Sequence, residues 1–538
     1  AEKAMVVSPH PLATQVGVDI LQQGGTALDA AIAVQFALAV VYPRAGNIGG
    51  GGFMLLHLED GTTTSLDYRE KAPLAANRDM YLDADGEIIP RASLDGIRSV
   101  GVPGTVAGLE AAFTKYGSQN LFTWSQLIAP AIELAEKGFP VSRAEANRLN
   151  NYLPKFLKYN STVNPFTEPE AWEAGRVLRQ PDLAETLRRI QEAGRDGFYQ
   201  GKTATALLDE MTRQDGYITQ ADLDNYEAVW RDPILSEYEN YQIASMPLPS
   251  SGGIVLGQMI EMIKGLPLSE WGFQEVTSVH IMIESMRRAY TDRARFMGDQ
   301  DYFPVPVDSL LDPAYLKEKM ASLRFDSATA STNLQAATFS VPVESFETTH
   351  TSIVDSMGNA VSVTTTLNDN YGSKVWVDGA GFFLNDEMDD FSSKPGTPNM
   401  FGLVGGEANA IEPGKRMLSS MTPTIVLRDG EVYLVLGTPG GSTIITSVFQ
   451  VFLNVAVFGL DLEEAVHAPR FHHQWLPDEV WIEKDQDYGT LPEDLRKLGH
   501  TVVEKRRLGA VKAIVRRSNG SWKGVGDIRQ PDDHAAGY

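Results

Sequence analysis

The chain has 538 residues, a formal net charge of −24 and no cysteine. That length allows one large body or a few domains, with enough core to fold without covalent staples. The acidic balance repels phosphate backbones and anionic lipid, so neither nucleic acid nor a membrane surface is an expected partner. The missing thiols remove disulfides, thiolate metal sites and cysteine nucleophiles, and no apolar run of 18 residues is present to span a bilayer.

The chain opens AEKAMVVSPHP, without Met and without a basic-plus-apolar leader, a start that either a removed export signal or recombinant trimming would leave. PLATQVGVDILQQGGTALDAAIAVQFALAVVYP predicts two helices, broken at Gly24-Gly25 and ended before Pro43. Gly49 to Gly52 lead into an apolar strand, and Asp60-Gly61 turns it into a second strand that ends at Asp67-Tyr68-Arg69-Glu70. From about 105 to 330 the apolar spacing is mostly helical, as in VAGLEAAFTKYG and WSQLIAPAIELAEKGF; LPSSGGIVLGQMIEMIKGL sets Ser and Gly before an amphipathic helix. Residues 325–346 lose periodicity and gain small polar residues, which predicts an exposed, mobile linker.

Then HTSIVDSMGNAVSVTTTLN alternates with period two around Met357-Gly358-Asn359, and TPTIVLRDGEVYLVLGTPGG does so around Asp429-Gly430. Two such hairpins predict an antiparallel sheet in the last third. PGGSTIITSVFQVFLNVAVFG is a Gly-Gly turn feeding a long apolar helix. Helix signals early and strand signals late predict a layered α/β body, with no internal repeat and no independent domains.

Thr is a poor nucleophile unless a base stands close. His472-His473 in FHHQW are adjacent, so they do not converge on one face, and they read as structural residues in preference to metal ligands. A different base arises if the chain is cut before Thr348. The new α-amine has an ordinary pKa of about 7.7–8.0 and can take the hydroxyl proton directly or through water.

The ordered set GNIGGGGFML, DYRE, GVPGTVAG, PLPSSGGI, TTHTS, TTTLN, NDEMDDF, KRMLSSMTPTI and GTPGGS closely resembles the γ-glutamyltransferase (γ-glutamyltranspeptidase) family of N-terminal nucleophile hydrolases, from about residue 4 to the terminal AAGY. The resemblance implies a four-layer αββα sandwich with two central, mainly antiparallel sheets. It implies a precursor that cuts itself between Glu347 and Thr348 into a large subunit, 1–347, and a small one, 348–538, which share one intertwined body. Thr348 would be the nucleophile and Thr366 the threonine that hydrogen-bonds it. Gly440 and Gly441 would form the oxyanion hole. Arg69, Ser419 and Ser420 would hold a substrate α-carboxylate, and Asn368, Glu387 and Asp390 its α-ammonium. Some members carry Gln where this chain has Glu387.

The implied substrates are glutathione and other γ-glutamyl compounds, with water, amino acids or peptides as acceptors, and no cofactor or metal. The alternative is a glutaryl (cephalosporin) acylase on the same scaffold, whose substrate brings no ammonium to Glu387 and Asp390. Bacterial members are commonly periplasmic or secreted. Residues 391–418 resemble the lid loop of many bacterial members, with Phe401 where Tyr is frequent; a lid favours small γ-glutamyl compounds over poly-γ-glutamate.

Overall fold

Alternation along the strands decides the layering, because successive side chains leave a strand on opposite faces. Val6, Met54, Leu56, Ile353, Val361 and Val363 pack beneath a helical layer that includes Pro11–Gln22 and Ala27–Val41. Their neighbours Met5, Val7, Leu55, Val354 and Ala360 face the other way, onto Ile425, Leu427, Val435 and Ile514 of a second sheet. The opposite face of that sheet, with Val426, Leu434, Leu436, Ala513 and Val515, packs against the helices Gly252–Ile263, Val276–Phe296 and Thr443–Ala456. The order is helix, sheet, sheet, helix: the four-layer sandwich.

The computed structural model describes residues 1–118, 120–334, 348–397 and 405–538. Glu347 and Phe401 lie outside the described residues, as do 335–346 of the stretch read as a linker. Among the described residues the first sheet has seven strands, in the order His534–Gly537, Met5–Ser8, Thr349–Val354, Ala360–Thr366, Gly51–His57, Thr63–Tyr68 and Val229–Arg231. The second has six: Trp522–Val525, Lys512–Arg516, Glu431–Gly437, Thr424–Arg428, Tyr241–Ser245 and Ile234–Tyr238. Neighbouring strands in both sheets are antiparallel. Each sheet draws strands from both sides of Thr348.

Two stretches hold more structure than their patterns showed. The mostly helical middle contains three strands between Val229 and Ser245, too short for their alternation to stand out against the long helices around them. The described part of the expected linker is anchored. Ser331–Leu334 is a 3₁₀ turn, and Ser331 is buried; its hydroxyl accepts from Arg287 and its N–H donates to Asp478. The stretch is largely exposed or half-buried, as expected, but its small polar residues also satisfy a buried charge network, and Ser331 pins it down.

Toward the Thr348 end, the space between the sheets turns polar. His350 is fully buried; its Nδ1 meets Thr364 Oγ1 at 2.8 Å and its Nε2 meets Ser352 Oγ at 3.0 Å. Ser352 donates to the Lys512 carbonyl and Ser362 to the Leu436 carbonyl, each at 3.1 Å, so side chains of the first sheet dock on backbone of the second. Burial, with the Lys512 ammonium adding to it, holds the imidazole well below its ordinary pKa and therefore neutral. The backbone of Gly437 lies against this ring: a Cβ there would stand 2.3 Å from Cε1. Gly437→Ala is therefore expected to push the sheets apart and cost about 1–3 kcal/mol, the usual price of overpacking. A denaturant midpoint equal to that of the unaltered protein would refute this contact as a spacer.

Candidate functional site

Thr348 is buried and directly precedes the Thr349–Val354 strand. The register that pairs Thr349 with Thr365 sets Thr348 across from Thr366, at the end of Ala360–Thr366. Their hydroxyl oxygens are 3.4 Å apart. Thr366 Oγ1 accepts from the Asn368 N–H at 2.8 Å. Asn368 has φ +79°, a left-handed conformation that Asn tolerates, and its Nδ2 donates to the Asp386 carbonyl at 3.0 Å. The run of glycines from Gly49 is here a matter of close approach. A Cβ on Gly50 would fall 2.2 Å from the Thr366 carbonyl oxygen, and Asn47 bridges Thr366 O and Gly50 N at 2.8 and 2.9 Å.

Across the cleft, Glu431–Gly437 leads through Gly440 and Gly441 into the helix Thr443–Ala456. Both glycines have positive φ, +139° and +54°, at a turn that feeds a helix start, a setting where backbone N–H groups can serve an oxyanion. Gly441 lines the cavity beside Thr348, and Gly440 precedes it in the chain.

The rest of the lining is charged. Arg69 follows the Thr63–Tyr68 strand, is fully buried, and donates to both Glu387 and Asp390; Glu70 lies 3.8 Å from it. One guanidinium thus faces three carboxylates. Burial opposes the charge on Arg69, but Glu387, Asp390 and Glu70 outweigh it and raise its pKa. The carboxylates pay in turn: burial, only partly offset by Arg69, pushes Glu70 up to about 7, Glu387 well above the usual range and Asp390 upward. Burial thus favours the protonated form of these carboxylates, and a cationic ligand would favour the ionised form. Ser419 and Ser420 close the cavity from the segment before Thr424–Arg428; the Ser419 N–H donates to Pro249 O at 2.8 Å.

Nine of the ten residues singled out from sequence line this one cavity of about 20 Å³, and the tenth, Gly440, is adjacent. Arg293, Met421 and Ile444 line it too and were missed. Arg293 sits in the long helix Val276–Phe296 among other arginines, and helical spacing alone does not mark which of them faces a cleft. Asn385 was also missed. Its side chain ties Gly49 O, Gly101 O, Gly101 N and Glu387 N together at 2.8 to 3.1 Å, and so fixes the Glu387 turn to two other segments. Behind the same turn, the buried Lys374 ammonium lies 2.9 Å from Asp369, 3.3 Å from Asp95 and 3.8 Å from Asp386. Burial opposes its charge, but the three carboxylates raise its pKa, and it joins the Asn368 and Glu387 segments electrostatically.

His472 and His473 are buried and hydrogen-bonded, to Thr446 and Gln474 and to Asp478 and the Trp475 N–H respectively. Among the described residues, His280, Glu284 and His500 are close enough to share a metal. Their hydrogen bonds argue otherwise. His280 Nε2 must donate to Arg324 O at 2.7 Å, so its Nδ1 accepts from His500 Nε2 at 2.8 Å, and His500 Nδ1 accepts from Arg287. Glu284 is taken by Arg288 and the Thr329 N–H. That tautomer leaves no imidazole lone pair for an ion, and the cluster serves to anchor residues 324–331.

Comparison with known proteins agrees with this geometry. The Gamma-glutamyltranspeptidase family model matches residues 13–537. The glutathione hydrolase proenzyme of Pseudomonas sp. (strain A14) is 50% identical over 485 residues, 90% of this chain and 84% of that protein. The glutathione hydrolase proenzyme of Escherichia coli (strain K12) is 45% identical over 543 residues, 100% of this chain and 92% of that protein. Among solved structures, a cephalosporin acylase from Bacillus halodurans superposes with a TM-score of 0.87 at 26% identity, covering 100% of this chain and 96% of the other. A threonine at the start of a central strand, a charged pocket beside it and a match along nearly the whole sequence make this chain a member of the γ-glutamyltranspeptidase family.

Proposed function

We propose that the chain is a glutathione hydrolase and γ-glutamyltransferase that processes itself between Glu347 and Thr348 and then uses Thr348 as its nucleophile. The observation that carries this reading is the 3.4 Å approach of the Thr348 and Thr366 hydroxyls, in one cavity with a guanidinium, carboxylates and two serines. That set of charges suits a ligand end bearing both an ammonium and a carboxylate, as the γ-glutamyl group does.

The chemistry then follows from the geometry. The free amine of Thr348 takes the hydroxyl proton as Oγ1 adds to the γ-carbonyl. Gly440 and Gly441 N–H groups hold the oxyanion, and Thr366 donates to Thr348 Oγ1 before attack. The C–N bond breaks, the leaving amine departs with the proton, and a γ-glutamyl-Thr348 ester remains. Water or an acceptor amine cleaves that ester. Arg69, Ser419 and Ser420 bind the α-carboxylate; Asn368, Glu387 and Asp390 bind the α-ammonium. For that to happen the ligand's two charges replace the internal Arg69 pairs, exchanging one set of charge-assisted hydrogen bonds for another. Residues 1–347 and 348–538 remain together as subunits, because each sheet takes strands from both. Among the described residues no helix is long and apolar enough to cross a membrane. We assign the enzyme to the periplasm or the medium, on the pattern of bacterial members of the family.

The glutaryl acylase reading shares the fold. It is disfavoured because a glutaryl group would leave the Glu387 and Asp390 carboxylates facing no cation from the ligand. The acylase ACY 1 proenzyme of Pseudomonas sp. (strain SE83) is 34% identical over 534 residues, against 45–50% for the glutathione hydrolase proenzymes.

Two measurements test the proposal. Intact mass under denaturing conditions is expected to give two species of roughly 38 and 21 kDa from the 58.9 kDa chain, in proportion to residue number, with Thr348 as a new N-terminus. Thr348→Ala is expected to stay whole and to leave glutathione untouched; a cut, active Thr348→Ala protein would end the nucleophile assignment. The second is a pH profile. Burial raises Glu70 to about 7 and lifts Glu387 and Asp390 above the usual carboxylate range, so acidification loads protons onto the group, and those protons compete with the substrate ammonium. KM for a γ-glutamyl anilide is therefore expected to rise on acidification, by up to about tenfold per pH unit, while KM for a glutaryl anilide stays flat. Parallel profiles for the two would remove the ammonium role of the carboxylates.

A further inference from the structure

Arg293 is the cavity's second cation. It is 4% exposed and comes from Val276–Phe296. Its Nε donates to Ser251 Oγ at 2.9 Å and its Nη2 to Ser420 Oγ at 3.1 Å. Ser251 Oγ in turn donates to the Ser419 carbonyl at 2.7 Å. The guanidinium thus grips the side chain of Ser420 directly and the backbone of Ser419 through one hydroxyl.

Its electrostatic situation is unlike that of Arg69. Arg69 touches two carboxylates, whereas among the described residues none stands within 4.0 Å of Arg293; Asp390 acts on it only from farther off. Burial accordingly lowers its pKa, to about 10, which still leaves it charged at neutral pH. A buried charge without a contacting counter-ion is costly to keep in a fold, and an anion entering the pocket lowers that cost. The hydrogen-bond sense points the same way. A hydroxyl that accepts from Arg293 cannot direct its own proton back at the guanidinium, so the Ser420 O–H is left to aim elsewhere.

We propose that Arg293 is a positioning residue of the α-carboxylate subsite: it orients the Ser420 hydroxyl as a donor, and supplies a second positive charge for the substrate carboxylate beside Arg69. This rests on the γ-glutamyl reading above. It predicts a dependence on the carboxylate's charge that a mere brace for the Ser251 and Ser419 segments would not produce.

The test compares two anilides with purified, self-processed protein: γ-glutamyl-p-nitroanilide, and the same compound with its α-carboxylate converted to the primary amide. Unaltered protein is expected to favour the carboxylate. Arg293→Gln is expected to raise KM for the carboxylate compound by roughly 10- to 100-fold with a small change in kcat, and to shrink the carboxylate-over-amide preference by a similar factor. Arg293→Lys keeps the charge but not the two-hydroxyl grip, and is expected to recover part of that preference. A preference that Arg293→Gln leaves intact, with both substrates slowed equally, overturns the proposal and makes Arg293 a structural brace. If Arg293→Gln does not self-process, Arg293→Lys decides: a preference equal to that of the unaltered protein overturns the proposal, and a reduced one supports it. Indifference of the unaltered protein to the two anilides instead overturns the γ-glutamyl reading itself, and so separates the two failures.

Discussion

Everything in this site depends on how closely the two sheets stack at one end. The strand that starts at Thr349 belongs to the first sheet, and the strand that delivers Gly440 and Gly441 belongs to the second. Among the described residues, contacts across the gap set the distance between them. The gauge is His350, flat against the backbone of Gly437, with Ser352 and Ser362 bonded to carbonyls across the gap. Aliphatic packing between sheets is non-directional and tolerates small slips, whereas hydrogen bonds to backbone fix position to a few tenths of an ångström. Polar residues at the catalytic end and aliphatic ones at the other therefore divide the labour. Val354, Ile425 and Ile514 supply cohesion, and His350 supplies register.

The second constraint is charge. A fully buried arginine beside three carboxylates is not an arrangement a fold adopts for stability, since desolvation consumes most of what the pairing returns. Its value lies in the exchange it makes possible. At an effective dielectric of about 20, two opposite charges 4 Å apart attract by about 4 kcal/mol, and a zwitterionic ligand end can offer each partner a replacement of the same size. The neighbouring Lys374 cluster and the Asn385 clamp keep the carboxylate-bearing turn in place while that exchange happens. Rigidity and charge come from different residues, so the charged ones can be loosened without losing the turn.

How much of this was legible in the sequence follows from range. Period-two alternation exposed both hairpins, because turn and strands lie within about twenty residues of one another. The short strands Ile234–Tyr238 and Tyr241–Ser245 and the edge strand His534–Gly537 carried too little pattern to register, although each completes a sheet. For the site, periodicity offered a threonine-rich strand and little more; the other positions came from the ordered motifs of a family. Arg293 and Asn385 belonged to no quoted motif role, and their importance rests on contacts spanning 127 and 336 residues, which no local pattern encodes.

The position of Thr348 at the mouth of its strand gives the same residue two chemically distinct settings. Within a continuous chain its nitrogen is an amide, which is not basic, and its hydroxyl has Thr366 beside it but no proton acceptor of its own residue. After cleavage the nitrogen is an amine with a pKa near the working pH, only two bonds from the carbon that bears the hydroxyl. No side chain has to move to create the base. A fold that places the strand start, Thr366 and the Gly440-Gly441 turn correctly in the precursor already holds the geometry the mature enzyme needs. In the proposed mechanism peptide cleavage and amide hydrolysis are both acyl transfers to Thr348 Oγ1, so one oxyanion site can serve both if the scissile carbonyl and the substrate carbonyl occupy it in turn. On this account the two reactions share the His350–Gly437 spacing, and selection for either one conserves the geometry of the other.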